Sequence, residues 1–298
     1  MRMVFRRPSL RNILPSGYDA TSARGKSSHS SLDWQHHLYR CLSSSSRTDS
    51  SNTSPVNLYQ YKICPFSNIA KVVLTYQQIP FQSIEVNPLT KAELKFSKDY
   101  RKVPIVQQDN QQWNGTEEIL EHFTSKTSFV GNDSFSDSPS AKKWADFARN
   151  KLAPLLYPNL CNTLSNSFRS FDYVHQEPHF STLQKYSIQY IGSIAMYFAA
   201  SKIKKKYQLD DVRVALDEAL LELEEGLEES STGNEFADTN TFLSKTVQGP
   251  NLGDLAVFGV LKGLEGLPIL TDDILQDKRY LKIQHWYKTM DQQVESKK

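Results

Sequence analysis

The most constraining stretch runs from Val56 to Tyr76. Val56-Asn57-Leu58-Tyr59-Gln60-Tyr61 alternates apolar and polar side chains, as a half-buried strand does. Cys64-Pro65 follows at once, and Pro65 suits a first helical turn because that position has no use for a backbone N–H. Ile69, Val72, Val73 and Tyr76 then recur at helical spacing. A strand that delivers a cysteine to the start of a helix is a narrow structural choice. It directs the reading of the residues that come after it.

Ile79-Pro80 closes that helix, and Phe81-Gln82-Ser83-Ile84-Glu85-Val86 alternates as a second strand. Asn87-Pro88 is a turn into a short helix over 91–96. Val103-Pro104-Ile105-Val106 reads as a third strand entered through proline. Asp109-Asn110 is a turn before a fourth strand that ends at Trp113, and Thr116 to Phe123 is a helix. The order β-α-β-α-β-β-α over some 70 residues is that of the thioredoxin fold. The expected fold class is therefore an α/β thioredoxin-like domain over 55–124, a linker over 125–140 and an all-helical domain over 141–298.

In the helical half, Trp144, Phe147, Ala148, Lys151, Leu152 and Leu155 mark a helix expected to stop before Pro158. Tyr186 to Lys206 reads as a long helix, with Ile191 to Ala200 as its buried part. Asp210 is positioned to cap a helix carrying Leu216, Leu220, Leu223 and Leu227 on one face. Helices over 251–264 and 279–295 complete the set, with Asn251 and Asp254 read as a helix cap rather than as catalysts.

Residues 1–54 differ from the rest. They carry eight basic side chains against three acidic ones and many serines, leaving the remainder mildly acidic with 27 basic and 30 acidic residues. This is the composition of a transit peptide, with mitochondrion ahead of plastid and a disordered cytoplasmic tail as the plain alternative. The overall charge of +2 gives no basic surface for a nucleic-acid partner. No apolar run reaches the roughly 18–20 residues of a membrane span. Three cysteines without regular spacing fit a reducing compartment better than a disulfide framework.

Cys64 is the candidate nucleophile. The free N–H groups and dipole of a helix start favour its thiolate over its thiol, whereas the plain alternative is a small buried hydrophobe. Pro65 and Phe66 flank it. Ser67 stands where a two-cysteine motif would have its second thiol, so a redox cycle would need an outside thiol, and glutathione is the obvious one. Tyr61, three residues earlier, can bring its hydroxyl near the sulfur. In a thioredoxin fold Val103-Pro104 would be a cis bond facing the cysteine, leaving backbone groups free to pair with a peptide-like ligand. The helix start at Gly115-Thr116 can receive a carboxylate. His175 and His179 are four apart, but Pro178 between them argues against a helical metal pair, and no metal site is expected. Cys161 reads as packing.

With these residues in view, the chain resembles the prostaglandin E synthase 2 family. The likeness rests on Tyr59-Gln60-Tyr61-Lys62-Ile63-Cys64-Pro65-Phe66, Glu85-Val86-Asn87-Pro88 and Tyr100-Arg101-Lys102-Val103-Pro104-Ile105. In the helical half it rests on Ser170-Phe171-Asp172-Tyr173-Val174 and Asn251-Leu252-Gly253-Asp254-Leu255-Ala256-Val257. It covers roughly residues 56–290. It implies a GST-like dimer and a glutathione site at Cys64, Pro65, Phe66, Val103, Pro104, Gly115 and Thr116. It also implies isomerisation of prostaglandin H2 to prostaglandin E2, with Cys64 essential and Tyr61 polarising it, and haem held through the glutathione sulfur. Ser67, and Gly115 where an aspartate is expected, depart from the family, and its N-terminal apolar anchor is not found in the first 54 residues. Two alternatives stand beside the isomerase. One is a monothiol glutaredoxin-like transferase acting on glutathione mixed disulfides. The other is a non-catalytic glutathione or haem carrier.

Overall fold

The computed structural model describes residues 54–125, 134–230, 242–245 and 249–298. The transit-peptide expectation over 1–54 thus lies, but for Ser54, outside the described residues. So does the middle of the expected linker.

Four strands form one sheet in the order β2-β1-β3-β4: β1 Val56–Gln60, β2 Phe81–Glu85, β3 Ile105–Gln108 and β4 Gln111–Asn114. β1 runs parallel to β2, with Tyr59 opposite Ile84. It runs antiparallel to β3, with Leu58 opposite Val106, and β3 runs antiparallel to β4. The parallel pair needs a crossover, which α1, Pro65–Tyr76, supplies. The expected helix over 91–96 is only one 3-10 turn, Ala92–Leu94, entered through Lys91 at φ 50. The third strand starts at Ile105 rather than Val103, which leaves the Val103-Pro104 bond outside the ladder, and that bond is cis. α2, Gly115–Ser125, closes the thioredoxin-like unit.

Beyond it the described residues are helical, with no strand. A short helix, Ser134–Asp137, occupies the end of the expected linker. α3 is continuous through Pro139–Asp146, the π-wound Phe147–Leu152 and Ala153–Leu160. It passes through Pro158, where the sequence reading stopped it. Burial of Leu155, Leu156 and Leu160 holds these last turns. Asn159 also stitches them, donating from Nδ2 to the Leu155 and Val212 carbonyls at 2.8 Å each. α4 is Leu164–Arg169. α5 runs unbroken through Thr182–Ser187, Ile188–Gly192 and Ser193–Lys206. α6 is Val212–Glu228, capped by Asp211 rather than Asp210: Asp211 Oδ1 accepts from the Arg213 and Val214 N–H groups. α7 is Leu252–Lys262 and α8 is Leu281–Glu295.

α1 holds the two halves together. Its Ala70 and Leu74 pack on the sheet with Leu58, Val106 and Ile119. Its Ile69, Val72 and Val73 belong to the large helical core with Trp144, Phe258 and Trp286. α7 crosses α1 at Gly259, where a Cβ would lie 2.6 Å from the Ile69 Cα. The capping box of α7 is complete. The buried Asp254 carboxylate accepts from the Leu243, Ser244 and Asn251 N–H groups and from Trp286 Nε1.

One face of α5 departs from expectation. Ile191 to Ala200 was read as a buried helix, yet Ile191, Ile194 and Phe198 are exposed, and with Leu183, Tyr186 and Tyr190 they form an apolar stripe. Their spacing keeps them on the side of α5 turned away from α3 and α4.

Candidate active site

Cys64 is the N-cap residue of α1, with extended backbone (φ −79, ψ 117). The loop before it is pinned from within. The Cys64 N–H donates to the Tyr61 carbonyl at 2.9 Å, and Asn68 Nδ2 donates to the Lys62 and Cys64 carbonyls at 2.7 and 2.9 Å. Asn68 thus fixes both sides of the nucleophile loop. The sequence reading did not single it out, although an asparagine four residues after an N-cap cysteine is a visible feature. Ser67 is fully buried and its Oγ has no hydrogen-bond partner. The residue at the second-thiol position is thus enclosed and its hydroxyl unpartnered.

The Cys64 side chain is 4% exposed. Three tyrosines from three parts of the chain act on it. Tyr157 on α3 interacts with the Cys64 side chain. Burial, and next the neighbouring sulfur, hold that hydroxyl protonated well above its usual range. Tyr61 is pushed up to about 12, chiefly by burial and then by Cys64 and Glu85, so it too stays a donor at neutral pH. Tyr100 is raised by burial, with lesser contributions from Glu118 and Cys64. Sequence reasoning found Tyr61 alone. Tyr157 lies 93 residues away in the helical half, and no local pattern connects it to a thiol.

Beneath this group lies Glu85, at the end of β2. Burial raises its carboxyl to about 7, against the pull of hydrogen bonds from the Lys62 N–H and from Tyr173. The Lys62 N–H meets its Oε1 at 2.9 Å. His179 Nε2 bonds the Glu85 carbonyl at 2.9 Å, and His175 Nε2 bonds Gln189 Oε1 at 2.8 Å. The two histidines are therefore committed to different partners. Among the described residues no group of His, Cys, Asp and Glu is arranged to hold a metal. Cys161 is buried, and burial raises its thiol against a hydrogen bond from Ser167.

The expected ligand-facing residues converge on the same end of the sheet. Val103 precedes the β1–β3 ladder, whose pairs begin at Ile105, so its backbone groups are outside the strand pairing. Gly115, at φ +76, donates its N–H to the Pro104 carbonyl at 2.9 Å. Thr116 Oγ1 donates to the Phe66 carbonyl at 3.1 Å, tying the α2 start to the α1 start. A Cβ on Gly115 would lie 3.1 Å from the Tyr100 hydroxyl. An aspartate there would have to nudge that hydroxyl aside and, above all, hold a strained φ, which favours the glycine.

This arrangement sets a sulfur at a helix start with protonated tyrosine hydroxyls acting on it. Beside it is a cis-proline edge able to take a peptide-like strand, and a helix N-terminus suited to a carboxylate.

Residues 58–130 match the family described as Glutathione S-transferase, N-terminal domain. Prostaglandin E synthase 2 of Mus musculus is 30% identical over 294 residues, covering 82% of this chain and 72% of that protein. Prostaglandin E synthase 2 of Danio rerio is 29% identical, covering 87% and 76%. Among solved structures, Ure2p in complex with glutathione superposes with a TM-score of 0.51 at 14% identity, over 82% of this chain and 98% of that one. This supports the thioredoxin-like and helical architecture of glutathione transferases.

Proposed function

The chain belongs to the prostaglandin E synthase 2 family. From that membership we propose that it is a glutathione-dependent enzyme that isomerises the endoperoxide prostaglandin H2 to prostaglandin E2 with the Cys64 thiol. The observation that carries the reading is a nearly buried cysteine seated at the start of α1, with the protonated hydroxyls of Tyr157 and Tyr61 acting on its sulfur.

The residues present fit glutathione. Val103 offers backbone groups outside the ladder, Phe66 gives an apolar wall, and the Gly115-Thr116 helix start meets a carboxylate. Bound there, glutathione supplies a second thiol beside Cys64. In the proposed reaction the Cys64 thiolate attacks one peroxide oxygen and the O–O bond breaks. The other oxygen leaves as an alkoxide and takes a proton from a neighbouring tyrosine hydroxyl. Loss of the proton on the carbon bearing the sulfur-bound oxygen then forms the ketone and releases the thiolate, so no net oxidation occurs. Tyr157 and Tyr61, both held protonated, are the donors in reach. Haem held through the glutathione sulfur rests on the family likeness alone. No step is drawn through it.

Ser67 favours a second reading, a monothiol transferase. Cys64 would take the glutathionyl group from a mixed disulfide, and free glutathione would then release it. Both readings are tested together by supplying the full chain and glutathione with prostaglandin H2 or with a glutathionylated peptide. Cys64→Ser should lose at least 100-fold of the activity while Cys161→Ser retains it. Full activity in Cys64→Ser defeats both.

The α5 stripe supports a homodimer. Leu183, Tyr186, Tyr190, Ile194 and Phe198 form an apolar face of the kind that marks protein interfaces. Phe198→Glu should convert a dimer to a monomer in light scattering, and a wild-type monomer would defeat this. Mitochondrial import is proposed from residues 1–54, and a reporter fused to them should enter that organelle.

A further inference from the structure

A cavity of about 780 Å³ opens between α1, α4, α7 and the end of α8, behind the nucleophile loop. Its lining includes Lys62, Lys71, Arg169, Lys262 and Lys298 but not Cys64, Phe66, Val103, Pro104 or Thr116. It adjoins the thiol centre, sharing Lys62, Ile63 and Asn68 with the nucleophile loop, but the sulfur itself does not line it.

The charges in its wall are unevenly satisfied. Lys262 is paired with Glu265 and Asp291, at 2.7 Å each, and Lys298 with Glu295. The third lining acid, Asp172, accepts from Gln189 Nε2 at 2.6 Å. All three acids of the wall are thus committed. Lys71 has no ion-pair or hydrogen-bond partner for its ammonium among the described residues, nor does the Arg169 guanidinium. Lys62 reaches only the neutral Gln176 Oε1, at 3.4 Å. Burial lowers the Lys71 pKa, and Lys298 and Lys62 lower it further against a smaller opposing pull from Glu85 and Glu265. An unpaired cation in a partly buried wall is costly unless something negative joins it. Ile63, Val72, Leu267, Pro268 and Val294 line the rest of the cavity, and its size is that of sites taking small organic molecules.

We propose that this cleft binds an amphipathic organic carboxylate, its acid group held by Lys62 and Lys71 and its apolar body lying along Ile63, Leu267 and Pro268. Arg169 at the rim supplies further attraction. The site does not depend on the proposed thiol chemistry.

Isothermal titration of the full chain with decanoate, and with inorganic phosphate as a headgroup-only probe, tests this. Decanoate should bind, and bind at least tenfold more weakly to Lys71→Met. Lys71→Arg should restore it, Cys64→Ser should leave it unchanged, and phosphate should bind more weakly than decanoate. An unchanged thermal midpoint in Lys71→Met shows that the fold is intact. The proposal is overturned if decanoate fails to bind, binds equally to Lys71→Met, or is lost in Cys64→Ser. It is also overturned if phosphate binds as tightly as decanoate, because the apolar wall would then contribute nothing.

Discussion

Replacing Tyr157 by phenylalanine deletes one oxygen and leaves the ring that packs in α3. That oxygen interacts with the Cys64 sulfur, which helps keep it protonated. A hydrogen bond to a charged partner contributes about 1.5–3 kcal/mol, and about 1.4 kcal/mol is a factor of ten in population. The substitution should therefore slow attack by the Cys64 sulfur about 10- to 100-fold. Tyr61→Phe should cost less, since Tyr61 acts on the sulfur through space and its own shift comes mainly from burial. The assay is the second-order rate of iodoacetamide alkylation, followed by intact mass, in a Cys41→Ser, Cys161→Ser background where Cys64 is the single thiol. The thermal midpoint serves as the control for folding. A Tyr157→Phe rate within threefold of the parent, or a larger effect from Tyr61→Phe, would refute the assignment of Tyr157 as the thiolate's donor.

Three further outcomes are expected. The Glu85 carboxyl sits at about 7 in the fold against 4.5 as its reference, so the unfolded chain ionises first as pH rises. Glu85 should take up to about 3 kcal/mol from stability between pH 4.5 and 7, beside the loss that Asp254, raised to about 6, adds, and Glu85→Gln should remove its own share; equal urea profiles for the two proteins at pH 5 and pH 8 would contradict it. Asp254→Asn turns an amide NH2 toward two of the four N–H groups that the carboxylate now satisfies. Leaving them unpaired should cost about 2–5 kcal/mol, and a loss below about 1 kcal/mol in urea unfolding would show that the cap is dispensable. Gly259→Ala places a methyl against the Ile69 and Asn68 backbone, which cannot rotate away. It should destabilise by about 1–3 kcal/mol and alter Cys64 alkylation by shifting α1, and an unchanged thermal midpoint would refute the close crossing.

The legible parts of the fold are those written over short spans. The alternation at 56–61, the Cys64-Pro65 pair and the helical repeat to Tyr76 gave β1 and α1 within a residue. The Asn251–Asp254 box marked the start of α7 because both partners lie within four residues. Errors came where a local rule met a distant partner. Proline normally ends a helix, yet Asn159 bonded to the Val212 carbonyl helps keep Pro158 inside α3. Asp210 and Asp211 are equally good caps on paper, and the backbone geometry at 211 chose between them. Apolar residues on α5 signalled burial, but only the packing of α3 and α4 decides which face is covered.

The sequence by itself determined the thioredoxin-like order, the helical second half, the placing of Cys64 at a helix start and the proline that precedes β3. Each follows from side-chain periodicity and from the backbone limits of proline, which act between near neighbours. Only the tertiary structure decided that Tyr157 reaches the sulfur, that Asn68 clamps its loop, and that Glu85 is buried beneath it. It alone left Lys71 unpaired in a cleft. Hydrogen bonding and desolvation act across space, so their partners emerge only when the helical half closes over α1.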